Sequence, residues 1–330
     1  MEIVHRPVLL NECLELLSPL GESYEHDAFM IDSTLGEGGH SEAFLKRFSN
    51  LRIIGLDADP DIQARAKERL KSFGCRMNFH LGWFNDYYAN FSADQRKPDI
   101  ILFDLGISVF HYEKSGRGFS FRKDEQLDMR LDFSSGETAA DLVNNLPEKK
   151  IADLLYVYGE ERYSKKIAAA ITRARLSSRI ETASELADVV YRTVPPAYRH
   201  GPIHPATKTF QALRIAVNQE LRRLPEVLPN AFDSLASGGK MGVITFHSLE
   251  DRIVKNYFRN LSKNCICPPE QPICKCGGGP WVQLLTRKPV VPSQMEIAEN
   301  SPSRSAKLRV VRKLRDIAPE CARLIIPKTV

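Results

Sequence analysis

The sequence predicts an α/β fold built on a parallel, doubly wound sheet of the Rossmann-like kind. Short apolar runs, typical of buried strands, alternate with segments of helical spacing in the first third of the chain. A glycine-rich segment, Asp32–His40, joins the first such run to the first helix, and Asp57 ends the next run. Ligands of these sheets bind beyond the carboxyl ends of the strands, so we expect the functional site at that edge.

Four strands and two helices are predicted in this first third. The apolar runs lie at residues 28–34, 52–57, 76–81 and 98–106, and helical spacing marks residues 40–48 and 59–73. Pro60 occupies a first-turn position that suits proline, which supports the start of the second helix. Asp104, near the end of the fourth run, should therefore lie at the same edge as Asp57.

The alternation stops near residue 112. Helical stretches without a strong strand signal follow at residues 139–145, 148–158, 164–175 and 182–193, and Thr138 with Asp141 predicts a cap for the first. The alternation resumes after residue 205 with a helix at 207–224, a strand ending at His247 and Ser248, a helix at 249–261 and apolar stretches at 282–285 and 307–311. The last two stretches would complete a seven-stranded sheet.

This organisation predicts two domains. Residues 1–111 and 206–330 would form a discontinuous, cofactor-binding domain, and residues 112–205 an all-helical insertion that recognises the substrate. The chain of 330 residues, 43% of them hydrophobic, is long enough for one large domain or two.

Composition limits the class of protein. No apolar run approaches the roughly 20 residues that cross a bilayer, and Met1–Arg6 lacks the basic and then apolar pattern of a signal peptide. We therefore expect a cytoplasmic protein without a membrane partner. The net charge of +5 permits a polyanionic partner without demanding one.

Three basic clusters suit RNA because they could neutralise phosphates, and the second cluster also contains aromatic residues that could stack on unpaired bases. A solvated helix face explains each cluster equally well. The clusters comprise Arg173, Arg175 and Arg179, then Tyr191, Arg192, Tyr198, Arg199, His200, His204, Lys208, Phe210 and Arg214, and finally Arg304, Lys307, Arg309, Arg312, Lys313 and Arg315.

The glycine-rich turn indicates the kind of ligand. A nicotinamide dinucleotide site would need a third glycine where this chain has Ser41. Asp32, four residues before Gly36, suits a cationic ligand such as the ammonium and sulfonium of S-adenosylmethionine. Asp57 lies 21 positions after Gly36, near the spacing of about 20 expected for a carboxylate that binds ribose hydroxyls. An ordinary strand-to-helix turn with a capping aspartate is the alternative.

Further residues near this edge suit a reaction on a nucleobase. Asp104 could accept the hydrogens of an exocyclic amine or contact the cofactor, or it could cap a turn. Arg117, Phe119 and Phe121 follow close in sequence, and the two rings could sandwich an extruded base or pack the insertion against the sheet. His247 could bond a base edge or cap the following helix.

Four of the seven cysteines form two C-x-C pairs across a proline-rich segment. They could hold a structural zinc ion, although the spacing departs from the usual C-x₂₋₄-C. The sequence favours reduced thiols without a metal, with zinc as the alternative. The four are Cys265, Cys267, Cys274 and Cys276.

Several longer motifs resemble one family, ribosomal RNA small subunit methyltransferase H. They are His5–Glu12, Asp32–His40, Asp104–Ser108, Arg117–Phe121, Leu127–Arg130, Phe210–Asn218, Phe246–Arg252 and Ser305–Arg309. The resemblance implies a class I methyltransferase fold that uses S-adenosylmethionine to N4-methylate a decoding-centre (P-site) cytidine of 16S rRNA in the small ribosomal subunit.

The same resemblance implies a set of cofactor contacts. His111 occupies the position where the family usually has a glutamine that contacts the cofactor, so the resemblance implies a cofactor contact for His111. Imidazole can still donate or accept a hydrogen bond there. The other implied contacts are Gly38, Gly39, His40, Asp57, Phe84 and Asp104.

Two other functions stay open at this stage. One is a DNA or RNA amino-methyltransferase with another acceptor, although such enzymes usually carry Asp/Asn/Ser-Pro-Pro-aromatic where this chain has Asp104-Leu-Gly-Ile107. The other is a non-catalytic RNA-binding factor of ribosome assembly. The sequence also leaves open whether the substrate is naked rRNA or an assembled subunit, and whether the protein forms a homodimer.

Overall fold

A computed structural model of the chain describes residues 6–19, 27–134, 136–201, 203–267, 276, 278–317 and 325. The chain divides into two compact units. The first consists of Met1–Ile107 with Leu221–Val330, and the second of Ser108–Glu220. In the part of the chain that the structure describes, every helix is too short or too polar to span a membrane.

The first unit is built on a seven-stranded sheet with the order β3-β2-β1-β4-β5-β7-β6. All neighbouring strands are parallel except that β7 runs antiparallel to both β5 and β6. The predicted α/β, Rossmann-like fold is therefore confirmed. The strands are β1 (Ala28–Asp32), β2 (Leu51–Asp57), β3 (Met77–Leu81), β4 (Ile100–Asp104), β5 (Lys240–Thr245), β6 (Val282–Leu284) and β7 (Lys307–Lys313).

Fourteen α-helices lie in the described part of the chain. They are α1 (Leu10–Leu16), α2 (Gly39–Arg47), α3 (Pro60–Leu70), α4 (Phe84–Ala89), α5 (Val109–Glu113), α6 (Ala139–Asn145), α7 (Glu148–Gly159), α8 (Ser164–Ala174), α9 (Ala183–Thr193), α10 (Pro196–Arg199), α11 (Thr207–Val217), α12 (Glu220–Ser234), α13 (Ser248–Leu261) and α14 (Gln294–Glu299). Two 3₁₀ segments, Lys71–Arg76 and Ser301–Ser305, complete the elements.

The order of the strands at the centre of the sheet indicates where a ligand can bind. Strand β4 is apolar and almost wholly buried because it lies between β1 and β5. The chain passes from β1 outward to β3 and then returns to β4 on the other side of β1. In open α/β sheets this reversal leaves a crevice at the carboxyl ends of the two central strands. Here the reversal lies between β1 and β4.

The second unit is helical. Thr138 and Asp141 form the expected capping box of α6. Helices α7 and α11 approach closely at Gly159, where an added Cβ would lie 2.7 Å from the carbonyl oxygen of Lys208. This contact explains why a side chain larger than hydrogen does not fit at the end of α7.

The bounds of the helical unit differ from the expected insertion of residues 112–205. The predicted helix over residues 207–224 is two helices, because Gln219 adopts a left-handed φ of 52° between them. Asn218 then accepts from the Leu131 amide at 3.0 Å and donates to the Met129 carbonyl at 2.8 Å. These bonds and the contact at Gly159 tie α11 to the helical unit, so the unit extends to Glu220.

Candidate functional site

Three acidic residues end neighbouring parallel strands at one edge of the first unit. Asp32, Asp57 and Asp104 are the last residues of β1, β2 and β4. Because β1 pairs in parallel with both β2 and β4, the three carboxyl ends lie side by side. The structure thus brings together the glycine-rich turn and the acids that sequence reasoning placed at this edge.

The glycine-rich turn is held open by hydrogen bonds from both neighbouring strands. Gly36 has a left-handed φ of +54° and donates its amide to Oδ2 of Asp57 at 2.8 Å. The amide of Asp104 donates to Oγ1 of Thr34 at 2.6 Å. A Cβ built on Gly36 would meet nothing within 4 Å, whereas one on Gly38 would lie 2.8 Å from Cδ1 of Leu70. Gly36 therefore borders open space, and Gly38 is required for packing.

Asp32 is 1% exposed and acts within the turn. Its Oδ2 accepts from the Ser41 hydroxyl at 2.7 Å, and its Oδ1 accepts from the Thr34 amide at 3.4 Å. Burial raises the pKa of Asp32 to about 6. Both carboxylate oxygens of Asp32 bond residues of the turn, so the structure favours a role in shaping the turn. Contact between Asp32 and a cationic ligand stays a prediction. Ser41, where a dinucleotide motif would have glycine, is the residue that holds the Asp32 carboxylate.

His40 and Asp104 form a buried pair at the start of α2. Nε2 of His40 lies 3.0 Å from the carbonyl oxygen of Val8, and Nδ1 lies 3.6 Å from Oδ2 of Asp104. Burial, reinforced by the charges of Asp32 and Glu250, raises the pKa of Asp104 to about 8. Oδ1 of Asp104 is buried and has no hydrogen-bond partner among the described residues. This oxygen is an acceptor that the described chain leaves unused.

Aromatic residues follow β3, beside the Asp57 strand. The Gly82 amide donates to the Asp57 carbonyl at 2.8 Å, which places Trp83 and Phe84 directly after this contact. The Arg223 guanidinium lies 3.8 Å from the centre of the Trp83 ring and donates to Oδ1 of Asn85 at 2.8 Å. One face of Trp83 is therefore covered, and Phe84 is the better candidate to flank a ligand. Sequence reasoning missed Arg223, which no local motif marks.

His247 caps a helix. Its Nδ1 accepts from the Glu250 amide, and the Glu250 carboxylate accepts from the His247 amide, so the two residues form a capping box at the start of α13. Nε2 of His247 lies 3.1 Å from Oε1 of Glu250. Of the two roles that the sequence left open, the structure supports capping, because both ends of the ring already face Glu250.

Two residues proposed for substrate contact, Arg117 and Phe119, and the proposed cofactor contact His111 are buried in the second unit. His111, Arg117 and Phe119 are each 4% exposed, and the His111 and Phe119 rings lie 5.3 Å apart. The Arg117 guanidinium lies 3.9 Å from the centre of the Phe133 ring. Phe119 therefore presents no open face in this structure. Of the two roles that the sequence left open for Phe119, the burial of its ring favours packing over a contact with a base.

Phe121 instead begins an aromatic and basic column that is only partly exposed. Its ring stacks on His204 with centroids 4.4 Å apart, and Tyr191 stacks on His204 at 6.0 Å. The Arg199 guanidinium then lies 5.0 Å from the Tyr191 ring centre. We call Phe121, His204, Tyr191 and Arg199 the stacking column. Three of its four residues belong to the basic cluster identified in the sequence, and parallel rings beside a guanidinium are suited to stacking on bases.

Comparison with known proteins finds relatives along nearly the whole chain. The model of the MraW methylase family matches residues 2–314. Ribosomal RNA small subunit methyltransferase H of Treponema denticola is 59% identical over 314 residues, which cover 95% of this chain and 98% of that protein. The Treponema pallidum protein of the same name is 46% identical over 352 residues, covering 94% of this chain and 93% of that protein.

Among solved structures, an rRNA methylase from Streptococcus thermophilus aligns over 95% of this chain and 100% of that chain. The TM-score is 0.41 at 10% identity. This likeness is too weak to support any conclusion about function.

Proposed function

The chain belongs to the MraW methylase family, and from that premise we propose that it uses S-adenosylmethionine to N4-methylate a cytidine of 16S rRNA at the P-site of the small ribosomal subunit. Membership of the family makes the chain a methyltransferase. The relatives named as small subunit rRNA methyltransferases support rRNA as the substrate class. The choice of N4 is supported by one observation, the unused acceptor oxygen of Asp104 beside the glycine-rich turn.

The residues at the edge fit S-adenosylmethionine. Bound there, the cofactor would supply a methyl group on a sulfonium, which is ready for displacement by a nucleophile. Asp57 already accepts from the amides of Gly36 and Asp59, yet a carboxylate has about four acceptor positions and can also bind ribose hydroxyls. Gly36 borders the open space into which a ligand can extend. Phe84 offers a partly exposed ring after β3 to flank adenine.

Asp104 suits the activation of an exocyclic amine. The lone pair of cytidine N4 is delocalised into the ring, so an oxygen that accepts an N–H hydrogen favours attack by that nitrogen. Attack on the methyl group leaves a positive charge on N4, and a nearby carboxylate both stabilises this charge and takes the proton. The Asp104 carboxyl is the acceptor for this hydrogen, because its Oδ1 has no hydrogen-bond partner among the described residues, and His40 faces its Oδ2.

The second unit supplies features for RNA recognition. The stacking column combines three rings with a guanidinium, and both His204 and Tyr191 are exposed. Aromatic rings bind unpaired bases, while cationic groups neutralise phosphates. We therefore propose that the helical unit binds the rRNA, within an assembled small subunit in the cytoplasm.

The test is methyl transfer from labelled S-adenosylmethionine to small subunits that lack the modification, followed by mass spectrometry of the nucleosides. We expect N4-methylcytidine, produced by the wild-type chain and lost in Asp57→Ala. Asp94→Ala, which removes an exposed acid elsewhere in the same unit, should retain activity.

Other outcomes would replace the proposal. Label on another atom, or on DNA, would change the acceptor and leave the fold and the cofactor in place. Cofactor binding without transfer to subunits or to naked rRNA would favour a non-catalytic role in ribosome assembly.

A further inference from the structure

Three cysteines of the C-x-C cluster converge in the first unit. The Sγ atoms of Cys265, Cys267 and Cys276 all lie within 4.8 Å of one another, and those of Cys265 and Cys276 are 3.6 Å apart. Cys276 is buried, Cys267 is half-buried and Cys265 is exposed. The fourth member, Cys274, lies outside the described residues. Since 11 positions separate Cys265 from Cys276, their approach is a product of the fold rather than of adjacency.

The spacing of the sulfur atoms matches a metal site. Zinc binds thiolates at about 2.3 Å, so tetrahedral geometry puts two ligand sulfurs roughly 3.8 Å apart. A disulfide would need about 2.05 Å. The 3.6 Å between Cys265 and Cys276 is close to the first value and far from the second. The third sulfur, that of Cys267, lies within 4.8 Å of both, so a small rotation of its side chain can bring the three thiols around one ion.

The flanks of the cluster are fixed by bonds to the sheet unit. The Trp281 amide donates to the Leu261 carbonyl at 2.9 Å, and the Gly279 amide donates to the Asn264 carbonyl at 2.7 Å. These bonds join the end of α13 to the segment before β6. The two ends of the cysteine segment are thereby held together before any metal binds.

A cation and a buried ring lie beside the segment that follows Cys276. Arg315 donates to the carbonyl of Gly279 at 2.6 Å and also to that of Gly278, and its guanidinium lies 5.2 Å from the centre of the Trp281 ring. Trp281 is 1% exposed, so the start of the segment leading into β6 is packed in the core. A site with three or four thiolates around a divalent ion carries net negative charge, which the nearby guanidinium offsets.

We propose that Cys265, Cys267 and Cys276 bind a structural zinc ion as thiolates. Binding releases the three thiol protons to solvent and links Cys265 and Cys267, which follow α13, to Cys276, which precedes β6. The ion would stabilise β6, which has only three residues and lies at the edge of the sheet. A short edge strand gains few ladder hydrogen bonds of its own, so a bound metal beside it adds stability that the sheet does not provide.

The zinc site would be separate from methyl transfer. Three strand-to-strand steps separate β6 from β4, which carries Asp104, and each step is about 4.8 Å. Zinc binding at the cysteines and methyl transfer at the Asp104 edge can therefore be tested independently. Loss of zinc should lower thermal stability while leaving the chemistry of the Asp104 edge in place.

The test is the metal content of the full-length chain, purified without chelators and in the presence of a reductant. We expect zinc in about a one-to-one ratio to protein by elemental analysis. Replacement of zinc by cobalt(II) should produce a strong thiolate-to-cobalt charge-transfer absorption. Cys276→Ser and the milder, exposed Cys265→Ser should each lose the zinc. Cys75→Ser, which removes an exposed thiol elsewhere, should retain it.

Two results would overturn the proposal. One is a wild-type chain that holds no zinc after incubation with zinc and reductant, or whose cobalt form lacks the thiolate band. The other is zinc that persists in both Cys276→Ser and Cys265→Ser while circular dichroism shows that both variants are folded. A chelator should lower the Tm of the wild type and leave that of folded Cys276→Ser unchanged.

Discussion

Nδ1 of the His40 imidazole faces Oδ2 of Asp104 across 3.6 Å, while Nε2 of the same ring bonds the Val8 carbonyl. A carbonyl oxygen only accepts, so Nε2 carries the hydrogen, and a neutral ring presents the lone pair of Nδ1 to Asp104. An ionised carboxylate facing that lone pair is unfavourable. A proton on the Asp104 carboxyl removes the conflict, so the loss of that proton determines when Asp104 becomes a full proton acceptor.

Methyl transfer should therefore depend on pH. Because the pKa of Asp104 is raised to about 8 by burial and by the charges of Asp32 and Glu250, the carboxyl is mostly protonated at neutral pH. We expect kcat to rise from about pH 6 and level off above about pH 9. Single-turnover rates on small subunits, measured in one mixed buffer, would show the profile. A flat profile across this range would contradict the role of Asp104 as proton acceptor.

Asp104→Asn should remove activity with little loss of RNA binding. The amide is the same size and keeps an oxygen, but it cannot take a proton from N4. We expect kcat to fall on the order of 10²-fold or more, with the affinity for small subunits within about twofold of wild type, since most of that affinity comes from phosphate contacts. Filter binding and single-turnover transfer would be measured on the same preparations. Equal loss in both would make Asp104 a folding residue instead.

The same substitution should stabilise the protein at alkaline pH. The pKa of Asp104 is 3.8 in an ordinary setting and about 8 in the fold. The folded state thus binds the proton more tightly, and its stability is greatest below the lower value and is lost as pH rises through the higher one. A neutral amide at this position has no such cost, so we expect Asp104→Asn to have a higher Tm than wild type at pH 9 and a smaller difference at pH 5. The Tm values would be measured by calorimetry at both pH values. A lower Tm for Asp104→Asn than for wild type at pH 9 would show that the carboxyl is ionised and well paired in the fold.

Asp57→Ala should weaken cofactor binding. The change removes the acceptor of the Gly36 amide as well as the proposed ribose contact. Two hydrogen bonds at about 1–1.5 kcal/mol each predict a loss of roughly 30- to 150-fold in affinity for S-adenosylmethionine. Asp57→Asn keeps one carbonyl oxygen, so its affinity should fall between those of wild type and Asp57→Ala. Titration calorimetry that found all three affinities equal would move the cofactor away from this edge.

Tyr191→Ala should weaken binding to rRNA. Removing this ring breaks the stacking column between His204 and Arg199, and base stacking contributes about 1–3 kcal/mol per base. We expect a decrease of about 10-fold or more in affinity for small subunits, with cofactor affinity unchanged. Tyr156→Ala is the matched control, because Tyr156 is an exposed tyrosine of the same helical unit outside the column. If Tyr191→Ala and Tyr156→Ala bound small subunits with the same affinity, the stacking column would have no special role in rRNA binding.

Much of the fold was predictable because it depends on short-range patterns. The apolar run that became β4 is buried along nearly its whole length, as a central parallel strand should be. Thr138 and Asp141 formed the capping box that their spacing predicts. The positions of Asp57 and Asp104 followed from the rule that parallel strands end at one edge. The break between α11 and α12 could not be predicted, since a left-handed glutamine at position 219 has no local signal.

The sequence by itself determined the alternation of strands and helices, the glycine-rich turn and the acids that end the strands, because periodicity and turn chemistry act over a few residues. Tertiary structure alone decided that Arg223 covers Trp83, that Phe119 is buried, and that His40 faces Asp104. These contacts join segments far apart in the chain, or depend on which face of an element is covered. Their energies arise only after packing has brought distant side chains into a shared, low-dielectric interior.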